Sequence, residues 1–172
     1  MRENQYTTIC NDPADALKLP EAPELERAVL GALLLEPQYV ADVRGILTST
    51  AFCNTQNAAI YDAICKLDDR GLTPDLFTVG QEAKKAGIPL SEVATLTQDV
   101  GSGVEILNHA RILADLDMRR RLILWAEELK AKAQTDPDAV NWAMSGIERI
   151  TGDVARIASA RSIGDVMQDT LT

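Results

Sequence analysis

"VEILNHARILADLDMRRRLILWAEELKAKA", residues 104–133, contains neither proline nor glycine. Ile106, Ala110, Leu113, Ile123, Ala126 and Leu129 recur along it at helical spacing and are its candidate buried positions. An unbroken run of this length predicts a helix well beyond the usual 11–12 residues or so. "TDPD" at 135–138 ends it, and Asp136 followed by Pro137 is an N-cap and first-turn pair for a second helix. There Ala139 or Val140, Ala143, Met144, Ile147 and Ile150 carry the apolar stripe. Ala143 and Gly146, three apart, would let another helix approach closely. A long helix, a short break and a second helix spell an antiparallel helical hairpin, assigned to residues 104–158.

Working back towards the N-terminus, residues 20–103 divide into shorter helices. "PEAPELERAVLGALLLEP" (20–37) begins with the Pro and Glu that suit a helix start and closes at Pro37. Leu25, Ala28, Val29, Ala32 and Leu33 form its stripe. "QYVADVRGIL" repeats the pattern with Val40, Val43 and Ile46 or Leu47. In "IYDAICKLDDRGLTPDLF" (60–77) one face is Ile60, Ile64 and Leu67, widened by Tyr61 and Ala63. Gly71 falls where a helix ends in the left-handed conformation, and Pro74 forbids continuation. Asp75 or Thr78 then caps the next helix, Thr78 having capping-box spacing to Gln81. That helix runs to Gly87, "IPLSEVATLTQDV" supplies a short one, and "GSG" (101–103) is a loop. Strand alternation and internal repeats are absent, so the fold class is all-α. Residues 1–19, with their Asn-Asp-Pro breaker, are expected to be a disordered arm. Residues 159–172 are expected to be a linker followed by the start of a helix capped by Ser162 with Asp165.

The 172 residues are 46% hydrophobic but only 4% aromatic, so the core is filled by Leu, Ile, Val and Ala. A chain of this size needs neither a metal nor a disulfide for stability. A formal charge of −9 argues against a general nucleic-acid binder, although a local basic face is compatible with it. Cys10, Cys53 and Cys65 form no C-x-x-C, and neither a signal peptide nor a long apolar run is present. Reduced thiols in a cytoplasmic protein, away from membranes, are the expectation.

Groups able to do chemistry are sparse. Asp68 and Asp69 are adjacent and about 100° apart around a helix, whereas two carboxylates working as acid and base must face one cavity, so a structural reading is favoured. With Asp75 they read as helix-end and cap carboxylates. His109 is the single histidine and lacks companions at metal-ligand spacing. Cys53 and Cys65 have no nearby base, and Cys65 reads as a small core hydrophobe. "GSGVEI" follows no strand, and G-x-x-x-x-G-K-[ST] occurs nowhere. Accordingly no catalytic, cofactor-binding or metal residue is assigned, and an enzyme with an unrecognised site is the least favoured class. Arg119, Arg120 and Arg121 fan over about 200° of a helix. They are either a solvated surface with Asp115, Asp117, Glu127 and Glu128 as local partners, or a partner-binding face, or, less favoured, phosphate contacts. Trp125 and Trp142 flank the hairpin tip and either pack within the hairpin or anchor a partner.

The order of motifs resembles the N-terminal domain of the DnaB-type replicative DNA helicase. It runs E-x-x-V-L-G in "LERAVLG", then I-Y with L-x-x-x-G-x-x-x-D in "IYDAICKLDDRGLTPD", then arginines before an Ile-rich helix in "ARILADLDMRRRLI". The likeness covers about residues 17–160, and "SIGDVMQDTL" resembles the start of that family's linker helix. Cys53, Gln56 and Asn57 stand where the family often has Tyr, Pro and His, and His109 replaces a common Tyr. The stretch after Gly87 is also shorter, and together these departures suggest a divergent or mobile-element member. The resemblance implies a globular bundle of about six helices with a protruding hairpin. It implies hairpin pairing into a dimer, a collar on a hexameric ring, docking of primase, and engagement by a helicase loader. DNA would be met only through the full ring, and ATP with Mg would belong to an ATPase domain that this chain lacks. On that footing Met118, Arg121, Leu122, Trp125, Trp142, Met144 and Ser145 are the candidate interface residues. The alternative is a stand-alone phage or plasmid adaptor with the same helical shape, or the helicase-binding domain of a primase.

Overall fold

Pro23 supplies the first turn of α1 (Pro23–Leu35), with Glu24 and Glu26 facing the positive end of the helix dipole. Every residue from Val29 to Leu34 is buried, which is wider than the predicted stripe and makes α1 the axis of the core. Around it stand α2 (Val40–Ile46), α3 (Thr55–Asp69), α4 (Leu76–Ala83) and α5 (Leu90–Thr95). They are followed by α6 (Gly103–Thr135) and by α7, residues 139–150. The computed structural model describes residues 19–98, 103–150 and 152. The expected N-terminal arm, the linker helix and the far end of the hairpin fall largely outside the described residues. Among those described, all regular structure is helical.

The apolar spacing in α2 and α3 builds as expected. Val40, Val43 and Leu47 are buried, as are Ile60, Tyr61, Ala63, Ile64 and Leu67. Each large side chain so placed contributes about 1.5–3 kcal/mol. Tyr61 stacks at a tilt on Phe52, centroids 5.0 Å apart, and its hydroxyl donates to the Leu47 carbonyl at 3.2 Å. Cys65 is half-buried against the same core.

Local chemistry sets the helix ends. Asn54 caps α3 by accepting from the backbone of Gln56 and Asn57. Gly71, at φ 69°, closes α3 as Leu72 N–H donates to Leu67 and Gly71 N–H to Asp68. Asp75 is the N-cap of α4, and Thr78 returns the bond to its backbone. Thr78 is thus the N3 partner of the capping box that Asp75 opens; the Thr78–Gln81 alternative is not the one formed. Gly80 lets α5 approach α4, because a Cβ there would meet the Leu90 side chain.

The near half of α6 lies on α1 and α2, burying Ile106, Ala110, Leu113 and Ala114. Beyond Arg120 no residue of α6 is buried: Ile123 and Leu129 are half-buried and Ala126 is exposed. These three were expected inside, but the last ~22 Å of the helix extends past the body, and among the described residues α7 is what covers it. Asp136 turns the chain, its carboxylate accepting from Asp138 N–H at 2.9 Å while its own N–H bonds Lys132 at 2.7 Å. The helical bundle with a protruding antiparallel hairpin is therefore the architecture present.

Candidate protein interface

Arg120 fastens the root of the hairpin. Its side chain is buried and donates to the carbonyls of Ala51 at 2.6 Å and Pro20 at 3.0 Å. Asp117, also buried, lies 3.5 Å from it and 3.9 Å from Arg121. Arg119 pairs with Asp115 at 2.8 Å on the open side. The three arginines thus divide into one internal brace and two surface partners, and the solvated reading fails for Arg120. The reason is geometric: α6 is still against the body at that residue.

Trp125 and Trp142 pack within the hairpin. Their rings are 6.0 Å apart and within 10° of parallel, and the Lys132 ammonium lies 5.3 Å from the centre of the Trp142 ring. Gly146 is buried because the Trp125 indole occupies the space where a Cβ would be. Ala139 and Ile150 complete the inward face of α7. Its outward face is apolar as well: Val140, Met144 and Ile147, at i, i+4 and i+7, are 71%, 59% and 50% exposed. The expected stripe held Ala139 or Val140, and Ala139 is the one buried. Ala143 and Gly146 turn inward with it against Trp125, as their close-approach spacing implied, whereas Met144 and Ile147, expected in the same stripe, face outward with Val140. On α6, Leu122 and Leu124 are exposed too. Of the other candidates, Met118 and Arg121 are half-buried and Ser145 is exposed, its hydroxyl donating to Asn141 O at 3.0 Å.

The carboxylates are structural. Asp68 and Asp69 both bind Arg44, at 2.6 and 2.7 Å, tying α2 to the end of α3 rather than standing as solvated ends. The pair, Asp69 foremost, raises the affinity of Arg44 for its proton. Glu26 is buried and accepts from Cys53 N–H at 2.7 Å, Asn54 N–H at 3.3 Å and Asn57 Nδ2 at 2.9 Å. The backbone of Cys53 and the side-chain amide of Asn57 thus hold this carboxylate at the start of α3. Burial pushes the thiols of Cys53 and Cys65 up, away from the thiolate that nucleophilic chemistry needs. His109 is half-buried on α6, and no cluster of metal-ligating side chains occurs among the described residues. No described helix is long and apolar enough to cross a membrane.

The family model for the DnaB-like helicase N-terminal domain matches residues 18–115, more than half of the chain. The chain belongs to the DnaB-like helicase N-terminal domain family. A replicative DNA helicase DnaB of Rhodothermus marinus is 34% identical over 166 residues, 88% of this chain and 17% of that protein. The DnaB of Treponema pallidum (strain Nichols) is 27% identical over 158 residues, 87% of this chain and 36% of its own. The chain thus spans between a sixth and about a third of the length of these relatives. Its fold is similar to the N-terminal domain of DnaB helicase from Mycobacterium tuberculosis, with TM-score 0.71 and 26% identity. The match covers 77% of this chain and 99% of that one. A DnaB-like replicative helicase, solved for its interactions with primase, shares the fold at TM-score 0.63 and 21% identity. That match covers 83% of this chain and 35% of the other.

Proposed function

We propose that this DnaB-like domain is the collar and interaction module of a replicative helicase, pairing with its own kind through the hairpin and recruiting primase. The observation that carries the reading is the row Val140, Met144 and Ile147, open to solvent on an element that leaves the body. A protruding helix with apolar residues on both faces needs a second helix to cover the outer one. The stacked tryptophans support this row from behind, and Leu122 and Ser145 border the same element. Self-association would build a dimer and then a ring collar, and a loader would engage the finished assembly. DNA unwinding, ATP and Mg would belong to a separate ATPase domain, acting in the cytoplasm.

Sedimentation velocity of the chain tests the pairing: a concentration-dependent dimer is expected, with Met144→Asp shifting it to monomer at unchanged helicity. A monomer at high concentration, or a Met144→Asp variant that still dimerises, overturns hairpin pairing. Titration with the C-terminal domain of the cognate primase tests recruitment. Absence of binding by both the chain and an assembled ring overturns that half.

A further inference from the structure

We infer that the side of α6 carrying Leu124 is the seat of this chain's own N-terminal arm, with Leu17 laid on Leu124 just beyond the foot of the hairpin. Leu124 lies eleven residues after Leu113 and eighteen after Ile106, within about 20° of both around the helix axis. It therefore continues the stripe by which α6 meets the body. Ile106 and Leu113 are 1% and 0% exposed, and Arg120, at the body's edge, 7%. One turn farther out, Leu124 is 50% exposed. α7 leaves it open because it packs on the Trp125 side, about 100° away. Leu122, the other exposed leucine of this turn, is on nearly the opposite side, about 160° round. The inference thus does not rest on hairpin pairing.

A lone exposed leucine is ordinary on a surface, but here the fold delivers a chain segment to its side. The Pro20 carbonyl accepts from Arg120 at 3.0 Å, and Leu19 and Pro20 are half-buried. Pro20 leads into α1, which packs on the near half of α6, so the residues before Leu19 start at the foot of the overhang. In an extended segment Leu17 and Leu19 face the same way, about 7 Å apart. That span matches the step of about 6 Å from the level of Arg120 to Leu124. The same alternation turns Lys18 to solvent. The seat is short. Glu127 and Glu128 follow Leu124 by about one turn, Glu127 engaged by Lys130 at 3.7 Å, and Asp15 of an arm continuing outward would come level with them. Like charge turns the arm away at that point and confines the seated stretch to residues 16–19. A second copy's helix would need a longer apolar row, whereas beyond Leu124 this side carries Glu128 and Ala131. One leucine suffices for a tethered segment, because a short tether holds it at an effective concentration of roughly millimolar or more.

Disulfide trapping in the whole chain tests the seat. With Cys10, Cys53 and Cys65 changed to serine, Leu17→Cys and Leu124→Cys should join within one chain under copper–phenanthroline and air. Such a bridge needs Cα atoms about 4.4–6.8 Å apart. Leu17→Cys with Leu122→Cys should stay reduced. Adding Met144→Asp should change neither result, which keeps the test separate from hairpin pairing. In a chain with its own cysteines, Leu17→Asp should speed hydrogen exchange of the amides of residues 122–126 about fivefold. Lys18→Asp should leave that exchange unchanged, and far-UV circular dichroism checks the folding of every variant. Absence of an intrachain bridge, equal trapping at positions 122 and 124, or exchange unaltered by Leu17→Asp overturns the proposal. A disulfide joining two chains, formed with Met144→Asp as well, also overturns it and gives this side of α6 to the arm of a second copy.

Discussion

The guanidinium of Arg120 donates to the carbonyl of Ala51 at 2.6 Å, across 69 residues of sequence. This one side chain joins the root of the hairpin to the turn that precedes α3, and through Pro20 to the segment that leads into α1. Arg120→Ala would leave two carbonyls without their donor and remove one partner of the buried Asp117, an expected loss of about 2–4 kcal/mol. Arg120→Lys should recover part of that, since a point charge cannot reproduce the guanidinium fork. Urea unfolding of the three proteins checks the order; equal midpoints for wild type and Arg120→Ala would refute the brace.

Glu26 does the same work within the body. Its carboxylate gathers the N–H groups of Cys53 and Asn54 and the amide of Asn57 at the start of α3. Glu26→Ala should cost about 2–4 kcal/mol, because three donors lose their acceptor. Glu26→Gln should lie between, as its own NH2 would face donors. Because Glu26 and Asn57 share one network, a double-mutant cycle is expected to show coupling of about 0.5 kcal/mol or more. Additive losses would show that the two act separately.

Asp75 supplies the acid-sensitive contact. Bonds from the Thr78 and Phe77 N–H groups hold its carboxyl below the ordinary 3.8. A carboxylate whose folded pKa is depressed stabilises fully above its unfolded value, and that contribution fades as pH falls through the folded one. Asp75→Asn keeps a capping oxygen but cannot titrate. The stability advantage of wild type over Asp75→Asn should therefore shrink as pH is lowered from about 4 to 2. Asp75→Ala at neutral pH should lose about 1 kcal/mol. Lys85 and Arg70 depress Glu82 likewise, so Glu82→Gln should flatten the same acid limb. Thermal melts across that range decide both.

The periodicities of α2 and α3, the glycine stop at Gly71 and the cap at Asp75 are legible because each depends on residues within a turn or two of one another. Arg120 is not legible in that way. Three consecutive arginines look alike until the body's edge is known, and only the fold shows that Arg120 still faces it. Glu26 sits in a first helical turn, where a glutamate is ordinarily solvated; its donors are some thirty residues away. The outer half of α6 misleads for a related reason. Ile123, Ala126 and Leu129 keep helical spacing, but spacing gives a face and not what covers it. On α7 the ambiguity between Ala139 and Val140 held the answer, because both faces of that helix are apolar and Gly146 decides which one meets α6.

Gly146 and Trp125 provide the test of that choice. A Cβ at Gly146 would intrude on the indole, and overpacking of this kind costs about 1–3 kcal/mol. The gain in helix propensity from glycine to alanine, up to about 1 kcal/mol, offsets part of it. Gly146→Ala should therefore destabilise modestly, and Gly146→Leu strongly, by prising Trp125 away from Trp142. Both should reduce the near-ultraviolet circular dichroism of the stacked indoles and make them more accessible to iodide quenching. In a Trp125→Ala background the indole is gone, so adding Gly146→Ala should cost nothing further and could stabilise. An equal penalty for Gly146→Ala with and without Trp125 would mean that the glycine serves some other contact, and that the hairpin's inward face is not set by this pair.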